Sequence, residues 1–248
     1  MRWFVLVLVF LTQVADAATK YTVAVVERVD QDPTIFTQGL EIQDHWFFQS
    51  SGLYGKSYLL RYPTDGEGKV ERLDVPPNVF AEGITVFSGK LYLLSWKAGT
   101  AWQFDASTLQ LEKTFRYSGE GWGLSHNDKE LIMSDGTDTI RFIDPTTFNV
   151  TRTVKVKWGE KALTDINELE FAKGIIWANQ WKSTTLFGID PVTGEVKITV
   201  DISSLQQEAA VTFVDSVANG IAFDSQKDLF WITGKYWKYR YLVKFNPT

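Results

Sequence analysis

Two charged residues are placed where they could carry out acid–base chemistry. Glu82 lies between Ala81 and Gly83, directly before an apolar segment. A carboxylate there is costly to bury unless it is paired or its pKa is shifted, and shifted carboxyls are frequent at catalytic sites. Lys235 follows the end of another apolar segment. If the fold brings the two together, they could move protons in one pocket.

The composition argues against several other kinds of site. The sequence has no cysteine, which removes disulfides, thiolate chemistry and cysteine-based metal sites. Its two histidines, His45 and His126, fall in predicted hairpin turns and are expected to be solvated, so no catalytic metal site is predicted. The net charge of −5 argues against a nucleic-acid partner, which usually needs a basic face.

A recurring pattern predicts how the chemical residues are positioned. A polar or aromatic residue, a small residue (usually Gly) and Leu or Ile are followed 7 to 14 residues later by an apolar strand. The copies are spaced 40 to 52 residues apart, which is typical of propeller blades. The copies are Gln38-Gly39-Leu40, Glu82-Gly83-Ile84, Trp122-Gly123-Leu124, Asn167-Glu168-Leu169 and Asn219-Gly220-Ile221.

The two ends of the sequence predict how the array closes. After four of the copies comes an alternating outer strand, but the last copy reaches Thr248 without one. An alternating strand at Tyr21–Val29 can complete that last blade, which would remove an open edge. We therefore predict an all-β fold, a five-bladed β-propeller formed by residues 18–248 as one domain. The alternative, five hairpins in an open array, leaves the N-terminal strand unexplained. The predicted outer strands are Lys69–Val75, Leu111–Tyr117, Val150–Val156 and Glu195–Ile202.

The first 17 residues have the layout of a secretory signal peptide. Arg2 supplies a positive charge, Trp3–Leu11 an apolar run too short to span a bilayer, and Ala15-Asp16-Ala17 a small-x-small ending. We expect a secreted, lumenal or periplasmic protein that has no membrane contact after cleavage. Asn149 begins a glycosylation sequon, which matters only in a eukaryotic source.

In a propeller, equivalent positions of the blades converge near the central channel. The residues before the small positions would then form one ring, and the ends of the second strands a second ring. Each side chain also has a plainer interpretation, since a Trp there more often packs between blades, and Gln38 or Asn219 could bond to strand ends. The favoured prediction is a small aromatic pocket with a few polar groups, the usual form of a ligand site. Its members would be Glu82, Lys235, Gln38, Asn167, Trp96, Trp122 and Trp181.

Eight short motifs, in order from about Phe36 to Lys235, resemble the plant and bacterial type of glutaminyl cyclase, the glutamine cyclotransferase family. The resemblance implies a five-bladed propeller that converts the N-terminal glutamine of peptides to pyroglutamate and releases ammonia. The motifs are Phe36-Thr37-Gln38-Gly39-Leu40, Ser51-Gly52-Leu53-Tyr54-Gly55, Glu82-Gly83-Ile84-Thr85, Gly119-Glu120-Gly121-Trp122-Gly123-Leu124, Ser134-Asp135-Gly136-Thr137, Asn167-Glu168-Leu169-Glu170, Ala178-Asn179-Gln180-Trp181 and Asn219-Gly220-Ile221-Ala222.

The resemblance also implies roles. Glu82 matches the key acid, Lys235 matches the lysine of the family, and Asn167 matches one of its substrate-holding groups. The chemistry of the reaction needs donors to a tetrahedral oxygen, for which Lys235 and Asn167 are the candidates. One departure is Gln49, where the family usually has an acid; it puts in doubt any ion or hydrogen bond that this acid supports. Another is Ser50-Ser51, in place of Ser-Thr. The substrate-binding residues would be Gln38, Phe36, Trp96, Trp122 and Trp181.

Because glutamine cyclises by attack of its own amine, the reaction needs neither a protein nucleophile nor a metal. No cofactor is therefore expected, although a structural calcium held by backbone carbonyls stays open as an alternative. Two other functions also stay open: a non-catalytic secreted propeller that binds peptide or glycan, and a lactonase or hydrolase with a channel metal. The latter needs several channel carboxylates, whereas the predicted ring holds Glu82 with Glu168 one step aside. We expect a monomer acting on peptides.

Overall fold

The computed structural model describes residues 18–211 and 214–248, whose regular secondary structure is almost entirely β. The predicted signal peptide over residues 1–17 lies outside the described residues. Among the described residues, no helix has the length and apolar character that a membrane span requires.

The first strand, β1, spans Thr19–Asp30 and pairs with the last strand of the chain. The next four strands form one antiparallel sheet in sequence order: β2 (Thr37–Gln43), β3 (Trp46–Ser51), β4 (Tyr58–Pro63) and β5 (Glu71–Asp74).

Two further four-stranded sheets repeat this arrangement. A two-stranded hairpin, β14 (Lys157–Trp158) and β15 (Lys161–Ala162), follows the second of them. Their strands are β6 (Ala81–Phe87), β7 (Lys90–Ser95), β8 (Thr100–Asp105), β9 (Leu111–Arg116), then β10 (Leu124–His126), β11 (Leu131–Met133), β12 (Thr139–Ile143) and β13 (Val150–Lys155).

The remaining strands form an eight-stranded sheet in the order β16-β17-β18-β19-β1-β22-β21-β20. The first half is β16 (Ile166–Ala172), β17 (Ile175–Gln180), β18 (Thr185–Ile189) and β19 (Val196–Asp201). A short helix, α1 (Ser203–Ala209), leads to β20 (Ala218–Asp224), β21 (Leu229–Gly234) and β22 (Tyr239–Pro247). The outer strands β5, β9, β13 and β19 all fall within the predicted ranges.

The N-terminal strand joins the two halves of this large sheet. It pairs antiparallel with β22 over Tyr21 to Asp30 and parallel with β19 over Thr19 to Thr22. The predicted pairing of the N-terminal strand with the last strand is therefore confirmed. Because β1 covers the edges of both β22 and β19, neither presents an unpaired edge along that stretch.

The first strands of the successive sheets lie around a common axis. Strand β2 contacts β6, β6 contacts β10, β10 contacts β16, β16 contacts β20, and β20 contacts β2, so the cycle returns to its start. The apolar core lies between neighbouring sheets; Phe47 of β3, for example, meets Trp231 of β21 edge to face at 5.4 Å. Strand β6 is buried at nearly every position and β9 is exposed at nearly every position. The inner strands therefore supply the residues nearest the axis.

Candidate active site

A cavity of about 350 Å³ opens at the ends of the inner strands, within the usual size range of ligand sites. It brings together all eight residues that the sequence selected, from every sheet of the cycle. Three further residues, Leu53, Phe80 and Asp215, complete its wall. The selected eight are Glu82, Lys235, Asn167, Gln38, Phe36, Trp96, Trp122 and Trp181.

β-Bulges aim the polar side chains of this cavity. The inner strands β2, β6, β16 and β20 each lose ladder register at the equivalent point. A bulge adds a residue to one strand and re-aims its side chain, which is why bulges are frequent beside functional sites. The residues in these bulges include Gln38, Glu82, Asn167 and Asn219.

Glycines beside the bulges let neighbouring inner strands approach each other closely. A Cβ on Gly83 would lie 2.5 Å from the backbone nitrogen of Leu124, and one on Gly123 would lie 2.1 Å from the carbonyl oxygen of Asn167. The amide of Gly83 donates to the carbonyl of Trp122 at 2.7 Å. Only glycine fits here, and this close contact sets Glu82 next to the indole of Trp122.

Glu82 is buried in the cavity wall, where Gln38 Nε2 donates to its Oε1 at 3.2 Å. Burial raises the pKa of the Glu82 carboxyl well above its ordinary value, the charge of Lys235 acts to lower it, and the charge of Glu120 adds to the rise. Desolvation disfavours the charged form, so it dominates here. With its pKa raised in this way, the Glu82 carboxyl is suited to take and return a proton.

Lys235, which directly follows β21, is the cation of the cavity. It is buried, and its Nζ lies 4.8 Å from the ring centre of Phe36. Within residues 18–211 and 214–248, no carboxylate lies within 4.0 Å of this nitrogen. Burial lowers the pKa of Lys235, while Glu82 and Asp215 act to raise it. The ammonium is left available to a ligand oxygen.

The rest of the cavity wall is mostly aromatic, and one amide oxygen in it has no hydrogen-bond partner among the described residues. The rings of Trp122 and Trp181 meet edge to face at 6.2 Å, and Phe80 meets Trp96 in the same way at 5.4 Å. Asn167 Oδ1 is buried and has no hydrogen-bond partner among the described residues. A buried acceptor without a partner is costly, so a ligand N–H group would relieve it.

Asn219 belongs to the ring by position but does not line the cavity. Its Nδ2 donates to the carbonyl of Thr37 at 3.0 Å and to Gln38 Oε1 at 3.1 Å. Ser50 acts similarly, since its hydroxyl donates to the carbonyl of Glu82 at 2.6 Å. These residues tie each sheet to the next and hold the side chains that do face the cavity.

The family model described as glutamine cyclotransferase matches residues 4–245. The chain belongs to the glutamine cyclotransferase family. It is 35% identical over 230 residues to a glutaminyl-peptide cyclotransferase of Arabidopsis thaliana, a match that covers 90% of this chain and 71% of that protein.

Solved structures agree with the membership of the glutamine cyclotransferase family. The crystal structure of the Myxococcus xanthus glutaminyl cyclase matches with a TM-score of 0.86 at 33% identity, covering 93% of this chain and 99% of that one. The WD40 β-propeller domain of Doa1 matches with a TM-score of 0.52 at 15% identity, covering 83% of this chain and 62% of that one. The second likeness concerns the fold alone.

Gln49, which the resemblance identified as a departure from the family pattern, lies outside the cavity. It is buried, accepts a hydrogen bond from the Tyr62 hydroxyl at 2.8 Å and donates to the Thr37 hydroxyl at 2.9 Å. An amide can make both bonds, whereas a carboxylate could only accept. Gln49 therefore supports the strand that carries Gln38, and its side-chain hydrogen-bond partners among the described residues, Gln31, Thr37 and Tyr62, do not line the cavity.

Three cavity residues were missed by sequence reasoning. Leu53 lies inside the motif Ser51-Gly52-Leu53-Tyr54-Gly55 and Phe80 lies directly before Ala81-Glu82, but neither apolar side chain was selected as a member of the site. Asp215 follows α1 in a segment that carries no repeat pattern, and no signal pointed to it.

More carboxylates are buried near the axis than the sequence predicted. Glu41, Glu168 and Glu170 are all buried on β2 and β16, and burial raises the pKa of each. His126, which was expected to be solvated, is half-buried: 29% of its side chain is exposed, and its Nδ1 lies 2.9 Å from the hydroxyl of Thr85, which donates to Glu41. In the described part of the chain, no three such side chains are grouped so that they could hold a metal ion.

Proposed function

We propose that this protein is a glutaminyl-peptide cyclotransferase that converts N-terminal glutamine of peptides and proteins to pyroglutamate and releases ammonia. The observation that carries the proposal is a buried carboxyl, Glu82, that shares a tryptophan-walled cavity with the ammonium of Lys235, which forms no ion pair with any described carboxylate. Membership of the glutamine cyclotransferase family and the likeness to two glutaminyl cyclases support the same activity.

The reaction is an intramolecular acyl transfer. The substrate's α-nitrogen forms a bond to its own γ-carboxamide carbon, and the carbonyl oxygen takes up negative charge in a tetrahedral intermediate. Glu82 accepts the proton that the attacking nitrogen loses and delivers it to the amide nitrogen, whose bond to carbon then breaks to release ammonia. General acid–base assistance of this kind contributes about 10² to 10⁴ in rate.

The other groups of the cavity serve positioning and charge. The Lys235 ammonium and the Asn167 amide N–H donate to the developing oxyanion, which is the largest single contribution in many acyl transfers. The unpartnered Asn167 Oδ1 is free to accept from the substrate's amine. Phe36, Trp96, Trp122 and Trp181 fold the flexible glutamine side chain into attacking geometry, which lowers the entropic part of the barrier.

We further propose that the architecture is a five-bladed propeller. The cyclic contacts of β2, β6, β10, β16 and β20 support it, as does an apolar cluster between each pair of neighbouring sheets. On this interpretation, the eight-stranded sheet is two blades joined where β1 meets β19.

The proposed chemistry needs no metal, because the nucleophile is the substrate's own amine. The described side chains offer no cluster for an ion, so a structural calcium would depend on backbone carbonyls. Turnover should persist after exhaustive treatment with a chelator, and a loss restored by added calcium would contradict this part of the proposal.

The sequence of residues 1–17 supports secretion or export, so that the protein reaches peptide and protein substrates outside the cytoplasm. N-terminal sequencing of exported protein would test this, since a mature chain that begins near Ala18 is expected. Asn149 is exposed, so a eukaryotic host could glycosylate it.

The test of function is ammonia release and loss of 17 mass units from a Gln-initiated peptide, with the same peptide initiated by Asn as the control. Glu82→Gln should abolish turnover while the peptide still binds, as measured by calorimetry. Binding without ammonia from the unmodified protein would favour a non-catalytic peptide-binding propeller.

A further inference from the structure

Glu120 lies behind two of the cavity's indoles and accepts a hydrogen bond from each. Its Oε2 lies 2.7 Å from Trp96 Nε1 and 2.9 Å from Trp122 Nε1. Trp96 follows β7 and Trp122 precedes β10, so a single carboxylate oxygen ties together walls that belong to different sheets. The Glu120 carboxylate itself does not line the cavity.

The backbone on both sides of Glu120 holds its side chain in this position. Gly119 has φ of +85°, which favours glycine, and a Cβ on Gly121 would lie 2.4 Å from the Tyr117 hydroxyl. The amide of Gly121 donates to the carbonyl of Trp96 at 3.0 Å. The Gly-Glu-Gly segment is thereby held against Trp96, and the side chain between its glycines points at both indoles.

Two charge-assisted hydrogen bonds to one oxygen orient the rings strongly, because each indole has a single polar donor and uses it in the bond to Glu120. Burial acts to raise the pKa of Glu120, but hydrogen bonds from Trp122 and Trp96 and the charge of Lys97 lower it overall, so the group is ionised at neutral pH. Lys97 Nζ lies 3.6 Å from the other carboxylate oxygen and 3.9 Å from the Trp96 ring centre.

We propose that Glu120 is a positioning residue of the cyclisation reaction: it fixes the angle between the Trp96 and Trp122 walls, and its charge acts on Glu82. The inference rests on the proposed function. The electrostatic part rests on the connection between the two carboxyl groups: Glu120 accepts from the indole of Trp122, and the carbonyl of Trp122 accepts from the amide of Gly83, which directly follows Glu82. In agreement with this connection, the charge of Glu120 adds to the raised pKa of Glu82. A purely structural role would predict lower stability with unchanged kinetics per folded molecule.

Two substitutions separate the hydrogen bonds from the charge. Glu120→Gln keeps an oxygen that can accept from both indoles but removes the charge, whereas Glu120→Ala removes both. The matched control is Glu112→Gln, on the exposed strand β9, where a glutamate likewise accepts two side-chain hydrogen bonds, from Lys90 and Gln103. Each variant is compared with the unmodified protein at equal folded concentration, verified by thermal unfolding.

Glu120→Ala should raise KM and lower kcat, each by about tenfold, because freed indoles no longer hold glutamine in attacking geometry. Glu120→Gln should restore KM to within about threefold and move the acid limb of kcat/KM to lower pH, since a like charge facing Glu82 is gone. The other groups that face Glu82 (Gln38, Lys235 and Tyr117) are unchanged in both variants. Glu112→Gln should match the unmodified protein throughout.

Binding provides a readout that does not need turnover. In the Glu82→Gln background, adding Glu120→Ala should weaken calorimetric binding of a Gln-initiated peptide by about tenfold. The proposal would be overturned if both Glu120 variants had the kcat, KM, acid limb and binding affinity of the unmodified protein. The proposed function would remain intact in that case. If Glu120→Ala does not fold, an unshifted acid limb in Glu120→Gln is sufficient to reject it. Absence of ammonia from the unmodified protein would overturn the function, and this role with it.

Discussion

The side-chain amide of Gln38 donates to Glu82 Oε1 at 3.2 Å, so the inner strand of one sheet orients the carboxyl of the next. The amide is itself fixed, because Gln38 Oε1 accepts from Asn219 Nδ2 at 3.1 Å. The chain of bonds runs through three neighbouring inner strands and ends at the backbone of Thr37. The direction of each donor is thereby determined, and Glu82 keeps its second oxygen for the substrate.

Replacing Gln38 by Leu should therefore cost activity more than stability. The variant keeps the size of the side chain but leaves Glu82 free to rotate, and a small misplacement of a catalytic group can cost about 100-fold in rate. We expect kcat/KM for a Gln-initiated peptide to fall by about that factor. The control is Gln103→Leu, which removes an exposed bond to Glu112. Equal kinetics in the two variants would contradict the orienting role.

The pH dependence of kcat/KM should be bell-shaped, with the acid limb above pH 4.5 and the basic limb below pH 10.5. Glu82 must be ionised to act as the base, and its pKa is raised well above 4.5, so activity rises with pH through that raised value. Lys235 must be protonated to stabilise the oxyanion, and its pKa is lowered from 10.5, so activity falls before that value is reached. An acid limb near pH 4.5 in the measured profile would rule out this assignment of the base.

Lys235→Met should lower kcat by about 10² to 10³, the usual effect of losing one oxyanion donor. It should also move the acid limb upward, because the cation that lowers the pKa of Glu82 is gone. The substrate's own amine titrates near pH 8 and does not respond to this substitution, so the movement identifies Glu82. Lys173→Met, an exposed lysine paired with Asp228, is the control.

Residue types and spacing were enough to predict the cavity because the repeat fixes which positions meet at the axis. The indoles and Glu82 lie at equivalent positions of the repeat, so their spacing in the sequence was enough to predict that they lie close together. The burial of Glu41 and Glu170 was not predicted, because an inner strand is covered on both faces. Alternation of polar and apolar residues then carries no information about burial. The position of Asp215 in the cavity wall was not predicted, because Asp215 follows α1, an insertion between β19 and β20 that has no counterpart in the repeat.

Gly83→Ala should be severely destabilising. The added Cβ would lie 2.5 Å from the Leu124 nitrogen and 2.6 Å from the Trp122 carbonyl oxygen, and backbone atoms cannot move aside cheaply. A loss of about 3 kcal/mol or more in the free energy of unfolding is expected, in the range of overpacked cores. Gly89→Ala, which meets no atom within 4 Å but has φ of +75°, should cost only about 1 kcal/mol. Denaturant titration of both variants measures the difference.

Glu170→Gln should stabilise the protein, and increasingly so as the pH rises. Burial raises the pKa of Glu170 well above 4.5, and Glu41 and Glu168 add to the rise by repulsion. The folded state therefore binds this proton more tightly than the unfolded chain, and stability is lost as pH rises through the folded pKa. An amide keeps an acceptor for the backbone N–H of Phe223 and carries no charge.

The gain from Glu170→Gln is expected to be larger at pH 8 than at pH 5, because the folded state carries the buried charge only above the raised pKa of Glu170. Thermal unfolding at the two pH values measures it. Glu112→Gln, whose carboxylate is exposed and paired with Lys90, should show no such gain. If Glu170→Gln instead lowered the melting temperature at pH 8, Glu170 would have to be a stabilising anion with a counter-charge, and its raised pKa would be refuted.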